Sequence, residues 1–338
     1  MRHLMLALCI AVMPMKTIAQ DSHLVVQVIV KEHILPRFEN LKTSTQDLAE
    51  IAGNDCTPTA QPLRAAFHTA FDAWISASHL RFGPTEVDDR AFALAFWPDS
   101  RNVIPRSLRQ IIATQDPIAA TPQSYTDMSI AARGFYAFEY LLYKNDLYEL
   151  GTADYRCTLI KTVASDIAMT SAAILSDWQS DYASRLLNPQ TNGTYRSDDE
   201  ALQEMFKALT TGLQFTSDSR LGRPLGTYDR PYPKRAENWR SNRSARNVAL
   251  SLQSLQQLSS NLSAIDTHPN ANLARSFEKA LVQLEALNDP TFAGVAQLQT
   301  RLKIEVLKQS VDTIRDLVRD TLGPMLGVSA GFNALDGD

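Results

Sequence analysis

A single glutamate inside an apolar helical run constrains this chain more than any other feature. Residues 128–143 read MSIAARGFYAFEYLLY, with Ala131, Phe135, Phe138 and Leu142 recurring at helical spacing. The run predicts a helix packed on several sides, with Glu139 carried into the interior. An ionised carboxylate buried without a partner is destabilising or shifts its pKa, so another part of the chain has to bring a cation, a hydrogen-bond donor or a metal to it. Gly134 lets a second backbone or side chain approach closely, and Tyr136 lies one helical turn before Glu139 on a neighbouring part of the same face.

The helical period recurs along most of the chain. Residues 25–52 follow it, although 25–30 alone would suit a strand, and Pro36 either bends this helix or starts a second one. Residues 63–80 form an amphipathic helix with Phe67, Phe71, Trp74 and Ile75 on its apolar side. Further helices are predicted over 159–187, 200–213, 245–262, 273–287 and 292–322, and strand signals are scarce. The expected class is all-α, with about eight to ten helices in two bundles. The polar stretch 188–199 separates an N-terminal bundle, residues 20–190, from a C-terminal one, residues 200–338. Within the second half, residues 220–244 form an irregular loop with three prolines and six arginines. Loops of this length and bias are functional or disordered.

Residues 1–19 have the layout of a secretory signal: Arg2 and His3, an apolar core over 4–12, and small residues up to Ala19. No later run is long and uncharged enough to suggest a membrane span. The expectation is a soluble exported protein, periplasmic if the source has two membranes. The leader carries Arg2 and Lys16 and no acid, so its removal moves the formal net charge from −4 to −6. Outside the arginine-rich loop, no basic run with interleaved aromatics points to a nucleic-acid partner.

Cleavage also removes Cys9 and leaves Cys56 and Cys157. In an oxidising compartment these two most simply form one disulfide; as metal thiolates they would lack the short paired spacing of zinc sites.

The element Gly134-x-Tyr136-x-x-Glu139, followed by Tyr-Leu-Leu-Tyr, resembles the signature region of the imelysin family, also called M75 peptidase-like, whose usual motif is Gly-x-His-x-x-Glu. Tyr136 stands where the family carries histidine. A phenol is a poor ligand for a divalent transition metal unless the ion is ferric or strongly acidic. The resemblance extends to Trp74 leading into Arg81-Phe82-Gly83-Pro84 and Glu86, and to the loop Phe96-Trp97-Pro98-Asp99-Ser100-Arg101. It continues through a Pro-Leu-Gly turn before Glu237, Trp239, Ser241 and Ser244, and through the C-terminal residues 326–338. It implies two helical-bundle halves related by an ancient duplication, with the signature helix near their interface. It also implies a ligand site drawn from Gly134, Tyr136, Glu139, Arg81, Glu86, Asp99, Glu237, Trp239 and Ser244, with Glu139 as the candidate metal ligand.

Other chemistry is sparse. His68, Asp72 and His79 fall on roughly one face of the 63–80 helix and would form a partial metal site if Glu86 or Glu139 approached; singly, such histidines are surface or hydrogen-bonded residues. His-Glu-x-x-His and Gly-x-Ser-x-Gly are both absent. Asp99 suits a helix N-cap as well as a ligand role, and the tail NALDGD lacks the ligand spacing of a calcium loop. Tyr228, Tyr232 and Trp239 could line a pocket for an anionic ligand or simply pack on the loop's arginines.

The resemblance implies an exported, non-enzymatic protein of iron uptake or handling that binds iron or another divalent metal, a metal complex, or another envelope protein. The alternative is an M75-type metallopeptidase using Glu139. A third reading is a metal-independent small-molecule site built from Glu139, Tyr136 and the arginine-rich loop.

Overall fold

The computed structural model describes residues 18–191, 193–264 and 271–328. Residues 1–17 of the predicted leader, His268 and the C-terminal residues from 329 lie outside the described residues. Among those described there is no strand, only an isolated bridge between Thr227 and Arg230.

Helices α1 (Ile18–Ile29) and α2 (Leu35–Asn54) run into one another through a π turn at Val30–Ile34. Pro36 follows the π turn inside this unbroken run: Ile34 and Leu35 stay helical, the Leu35 N–H reaches back five residues to Val30 O, and the π turn accommodates the proline's missing N–H. The β-branched residues 25–30 are helical because their burial follows a helical period: Val25, Val26, Ile29 and Val30 are buried, and Gln27 and Val28 are exposed. Next come α3 (Gln61–Ala77), α4 (Val103–Thr114), α5 (Gly134–Tyr143) and α6 (Ala153–Asp177), the last continuing through a π turn to Leu187. The second half contributes α7 (Asp198–Gln214), α8 (Ser244–Ser263), α9 (Ala271–Leu287) and α10 (Leu298–Leu317). Ser197 caps α7 by accepting the Glu200 N–H at 3.3 Å.

Three expectations need correction. Helix α4 goes unpredicted. The signature helix starts at Gly134, because residues 130–132 form a 3-10 turn and Arg133 is extended. The long helix expected over 292–322 starts only at Leu298: Phe292 has a left-handed φ of 56°, and the Asp289 carboxylate gathers the N–H groups of Ala293 and Gly294 at 3.1 and 2.7 Å into a turn.

In the first half α2 packs between α3 and α6, with α5 against α6 and α4; in the second, α7 to α10 pack on one another. The halves are not independent. Helix α1 lies on α7 and α8, and α3 packs on α8. Cys56 and Cys157 are disulfide-bonded with Cα atoms 5.2 Å apart, tying the segment after α2 to the start of α6. By length and hydropathy the helix Ala153–Leu187 would suffice to cross a bilayer, which a search for long uncharged runs overlooks, but 67% of its most apolar window is buried inside the fold.

Candidate functional site

Helix α5 is placed by its first residue. Gly134 has φ +71°, and a Cβ there would lie 2.2 Å from the carbonyl oxygens of both Ala93 and Leu94. Only glycine meets both demands, and so the helix start presses directly on the Arg90–Leu94 helix. From that origin Tyr136 and Glu139 point toward the 220–244 segment.

The Tyr136 hydroxyl donates to Glu237 Oε1 at 2.5 Å. The other carboxylate oxygen of Glu237 accepts from Arg220 Nε at 2.8 Å and Asn247 Nδ2 at 2.9 Å. Arg220 and Glu237 are both buried, and Arg220 also donates to Ser251 Oγ at 3.0 Å. A buried ion pair survives when its remaining donors and acceptors are satisfied, which holds for Glu237. Burial, reinforced by the Glu237 charge, raises the Tyr136 pKa well above its ordinary value and keeps the phenol protonated.

Glu139 Oε1 accepts from the Ser241 N–H at 3.1 Å and the Ser241 hydroxyl at 2.6 Å. Those donors sit in a 3-10 turn, Trp239–Ser241, flanked by Asn238 and Asn242 at left-handed φ values of 51° and 59°. Asparagine tolerates that conformation better than most residues, and it is the signal by which sequence alone could have located the turn. Burial pushes the Glu139 carboxyl up, while the Ser241 hydroxyl and the Arg240 charge pull it partly back. The Asn238 amide also favours the charged form, although its Nδ2 falls outside hydrogen-bond geometry.

Above these groups lies a cavity of about 490 Å³, within the range typical of small-molecule sites. Tyr136 and Glu139 line it together with Trp97, Asp99, Tyr140 and residues 231–236 and 238–240 of the arginine-rich segment. Its aromatic faces carry cations: Arg235 lies 3.7 Å from the Tyr232 ring centre, and Arg240 lies 4.1 Å from that of Tyr140 and 4.5 Å from that of Trp239. Arg223 lies 5.8 Å from the Trp97 ring, which is stacked toward Tyr136. The segment is held in place where Tyr232 N–H donates to Pro224 O at 2.9 Å and Arg301 donates to Leu225 O at 2.8 Å.

The other predicted residues fall in different places. Asp99 lines the cavity, but its two oxygens accept the N–H groups of Val103 and Ile104 at 2.8 and 2.9 Å and so anchor the start of α4. Arg81 and Glu86 form an ion pair at 2.6 Å and do not line the cavity. Ser244 is buried at the start of α8, also outside the cavity lining. Asp72 is ion-paired with Arg243 and Arg246, His68 hydrogen-bonds the Tyr143 hydroxyl at 2.9 Å, and His79 Nε2 meets His33 Nε2 at 2.8 Å in the interior. The 63–80 face therefore does not assemble, and no group of three or more His, Cys, Asp or Glu side chains fit to hold a metal occurs among the described residues. The sequence pointed to the arginine-rich segment as a whole; which arginines act, Arg220 on Glu237 and Arg223 and Arg235 at the cavity, and the part played by Asn247, come from tertiary placement.

Comparison with curated proteins finds no match. Among solved structures, the fold is similar to an imelysin-like protein from Psychrobacter arcticum, at 19% identity over 93% of this chain and 98% of the other, with a TM-score of 0.79. It is also similar to a candidate iron-regulated protein A precursor from Parabacteroides distasonis, at 16% identity over 90% of this chain and 96% of the other, with a TM-score of 0.73. The imelysin (peptidase M75) family model matches residues 34–318, and the chain therefore belongs to the imelysin family.

Proposed function

We propose that this chain is an exported, non-enzymatic binding protein that serves iron uptake or handling and takes its ligand in the cavity above Tyr136 and Glu139. The observation that carries the reading is the state of the two carboxylates. Glu237 is saturated by Tyr136, Arg220 and Asn247, and Ser241 holds one oxygen of Glu139. A bare transition metal would have to displace a buried arginine from Glu237 and would find a protonated phenol where the family has imidazole. These donors do not fit a naked ion, so iron would be engaged as a complex. The likeness to a candidate iron-regulated protein A precursor supports the iron connection, and the predicted leader supports export.

The test is metal content by mass spectrometry on the chain from Gln20, then titration with ferrous, ferric and zinc ions, with Glu139→Ala in parallel. The expected result is no stoichiometric binding of any bare ion and no metal-dependent cleavage of a protein substrate. Stoichiometric metal with turnover, both lost in Glu139→Ala, would establish the M75-type peptidase instead.

A further inference from the structure

Three of the residues that line the cavity carry a side-chain nitrogen left without an acceptor. Arg223 Nε, Asn238 Nδ2 and Trp239 Nε1 are buried without hydrogen-bond partners, and all three are donors. Each is an N–H shielded from solvent beneath the cavity surface, where a donor without an acceptor is unfavourable. The formal charges point the same way. Four cationic side chains line the cavity, Arg223, Lys234, Arg235 and Arg240, against two carboxyls: Asp99, with both oxygens engaged by backbone N–H groups, and Glu139, with one oxygen held by Ser241. None of the four cations forms an ion pair among the described residues.

The cations are also grouped. Arg223 and Arg235 are near enough that each repels the other's charge, and burial with that repulsion lowers the Arg223 pKa. Lys234 and Arg240 share the Trp239 ring, at 5.7 and 4.5 Å from its centre. Arg223 and Arg235, set side by side with no ion-pair partner, are an unfavourable arrangement that an anion relieves, and Arg240 has only Glu139, whose own carboxyl is pushed up by burial, to offset it. Guanidinium groups suit planar carboxylate or phosphate oxygens, which they bind through paired N–H donors.

We infer that the cavity takes a small organic polyanion, with one acidic group between Arg223 and Arg235 and a second at Lys234 and Arg240. The inference rests on the binding function proposed above and names its ligand class: acceptor-rich, carrying two or more carboxylate- or phosphate-type groups, with a body small enough for about 490 Å³. Trp97, Tyr140 and Tyr232 line the cavity beside these cations, each ring carrying one of the arginines.

The experiment is isothermal titration of the mature chain with citrate and, separately, with pyrophosphate, at low and high salt. Arg223→Gln, Arg235→Gln and the charge-conserving Arg235→Lys are titrated alongside. The expected result is saturable binding of at least one anion, weaker at high salt, and reduced about ten-fold or more in each glutamine variant. Arg235→Lys falls between wild type and Arg235→Gln, and circular dichroism shows all three variants folded. Citrate alone assigns a carboxylate ligand, and pyrophosphate alone a phosphoryl one. Binding of neither anion, or binding that both glutamine variants leave unchanged, overturns the inference. A bare ferrous ion that binds and is lost in Glu139→Gln also overturns the polyanion while leaving a role in iron binding standing. Failure of both anions alone leaves the proposed function standing, since that reading expects no bare metal to bind; metal-dependent turnover is what overturns it.

Discussion

Tyr136 and Glu237 stand 101 positions apart in the chain and 2.5 Å apart in the fold, and their hydrogen bond joins the signature helix to the arginine-rich segment. Tyr136→Phe keeps the ring among Phe71 and Trp97 but removes the donor. The loss should be about 1–3 kcal/mol in urea denaturation. A variant as stable as wild type would mean that Arg220 and Asn247 alone satisfy the carboxylate.

Breaking the buried pair itself should cost more. Glu237→Ala strands the Arg220 guanidinium and is expected to destabilise by about 3–5 kcal/mol. Arg220→Met paired with Glu237→Gln should recover part of this, because both charges are then gone. A double-mutant cycle by urea denaturation checks it, and simple additivity would refute the coupling.

Gly134→Ala should be among the most damaging small substitutions in the chain. The new methyl would meet two carbonyl oxygens at 2.2 Å and would also have to adopt a φ of +71°. The expected outcome is a fall in melting temperature well beyond that of Gly53→Ala, a helical position with open space around it.

The helical class and the focus on Glu139 were legible in the sequence because both depend on local spacing and on the cost of burying charge. The disulfide followed from counting cysteines. What brings donors to Glu139 was only half legible: the resemblance drew attention to Glu237, Trp239 and Ser241, but Ser241 N–H reaches the carboxylate because Asn238 and Asn242 adopt left-handed conformations. Helix α4 was missed as an element although Asp99, read as a possible N-cap, marks its start: the carboxylate reaches past Asn102, itself at a φ of 52°, to the N–H groups of Val103 and Ile104. The histidines misled for the opposite reason. His68 and His79 share a helix face by spacing, yet each finds its partner on another element, Tyr143 and His33.

Those histidines predict a pH dependence. Burial, the charge of His79 and that of Arg37 hold His33 well below 6.5; burial and then Arg37 and Arg220 do the same for His79. His68 is lowered to about 4, first by burial and then by Arg243. Below pH 6.5 the unfolded chain binds protons that the folded chain refuses, so their contribution to stability is complete above that value and is lost as pH falls. Glu139, whose carboxyl is raised by burial, works in the opposite sense: the folded chain holds its proton longer, so its contribution is present below the unfolded value and lost as pH rises. Urea midpoints should therefore fall between pH 7 and about pH 5, at up to about 1.4 kcal/mol per pH unit for each histidine. His79→Gln should flatten the decline, and an unchanged slope would clear the buried pair of responsibility.

Removing the disulfide with Cys56→Ser and Cys157→Ser together should cost about 2–4 kcal/mol, since the bond closes a loop of 101 residues in the unfolded chain. Denaturation of the double variant, compared with wild type under reducing and oxidising conditions, measures it. A difference that persists under reduction would trace to packing at the two positions.

The contacts of Glu237 and Glu139 bear on how anything enters or leaves. Both carboxylates stitch helix α5 to the second half of the chain through buried donors, so parting the halves like a hinge would strand charge in the interior. The wall at Lys234 and Arg235, by contrast, is exposed. A ligand in the proposed cavity would then exchange through small excursions of the 226–235 stretch, held back by the Tyr232 N–H on Pro224 O and by Arg301 on Leu225 O.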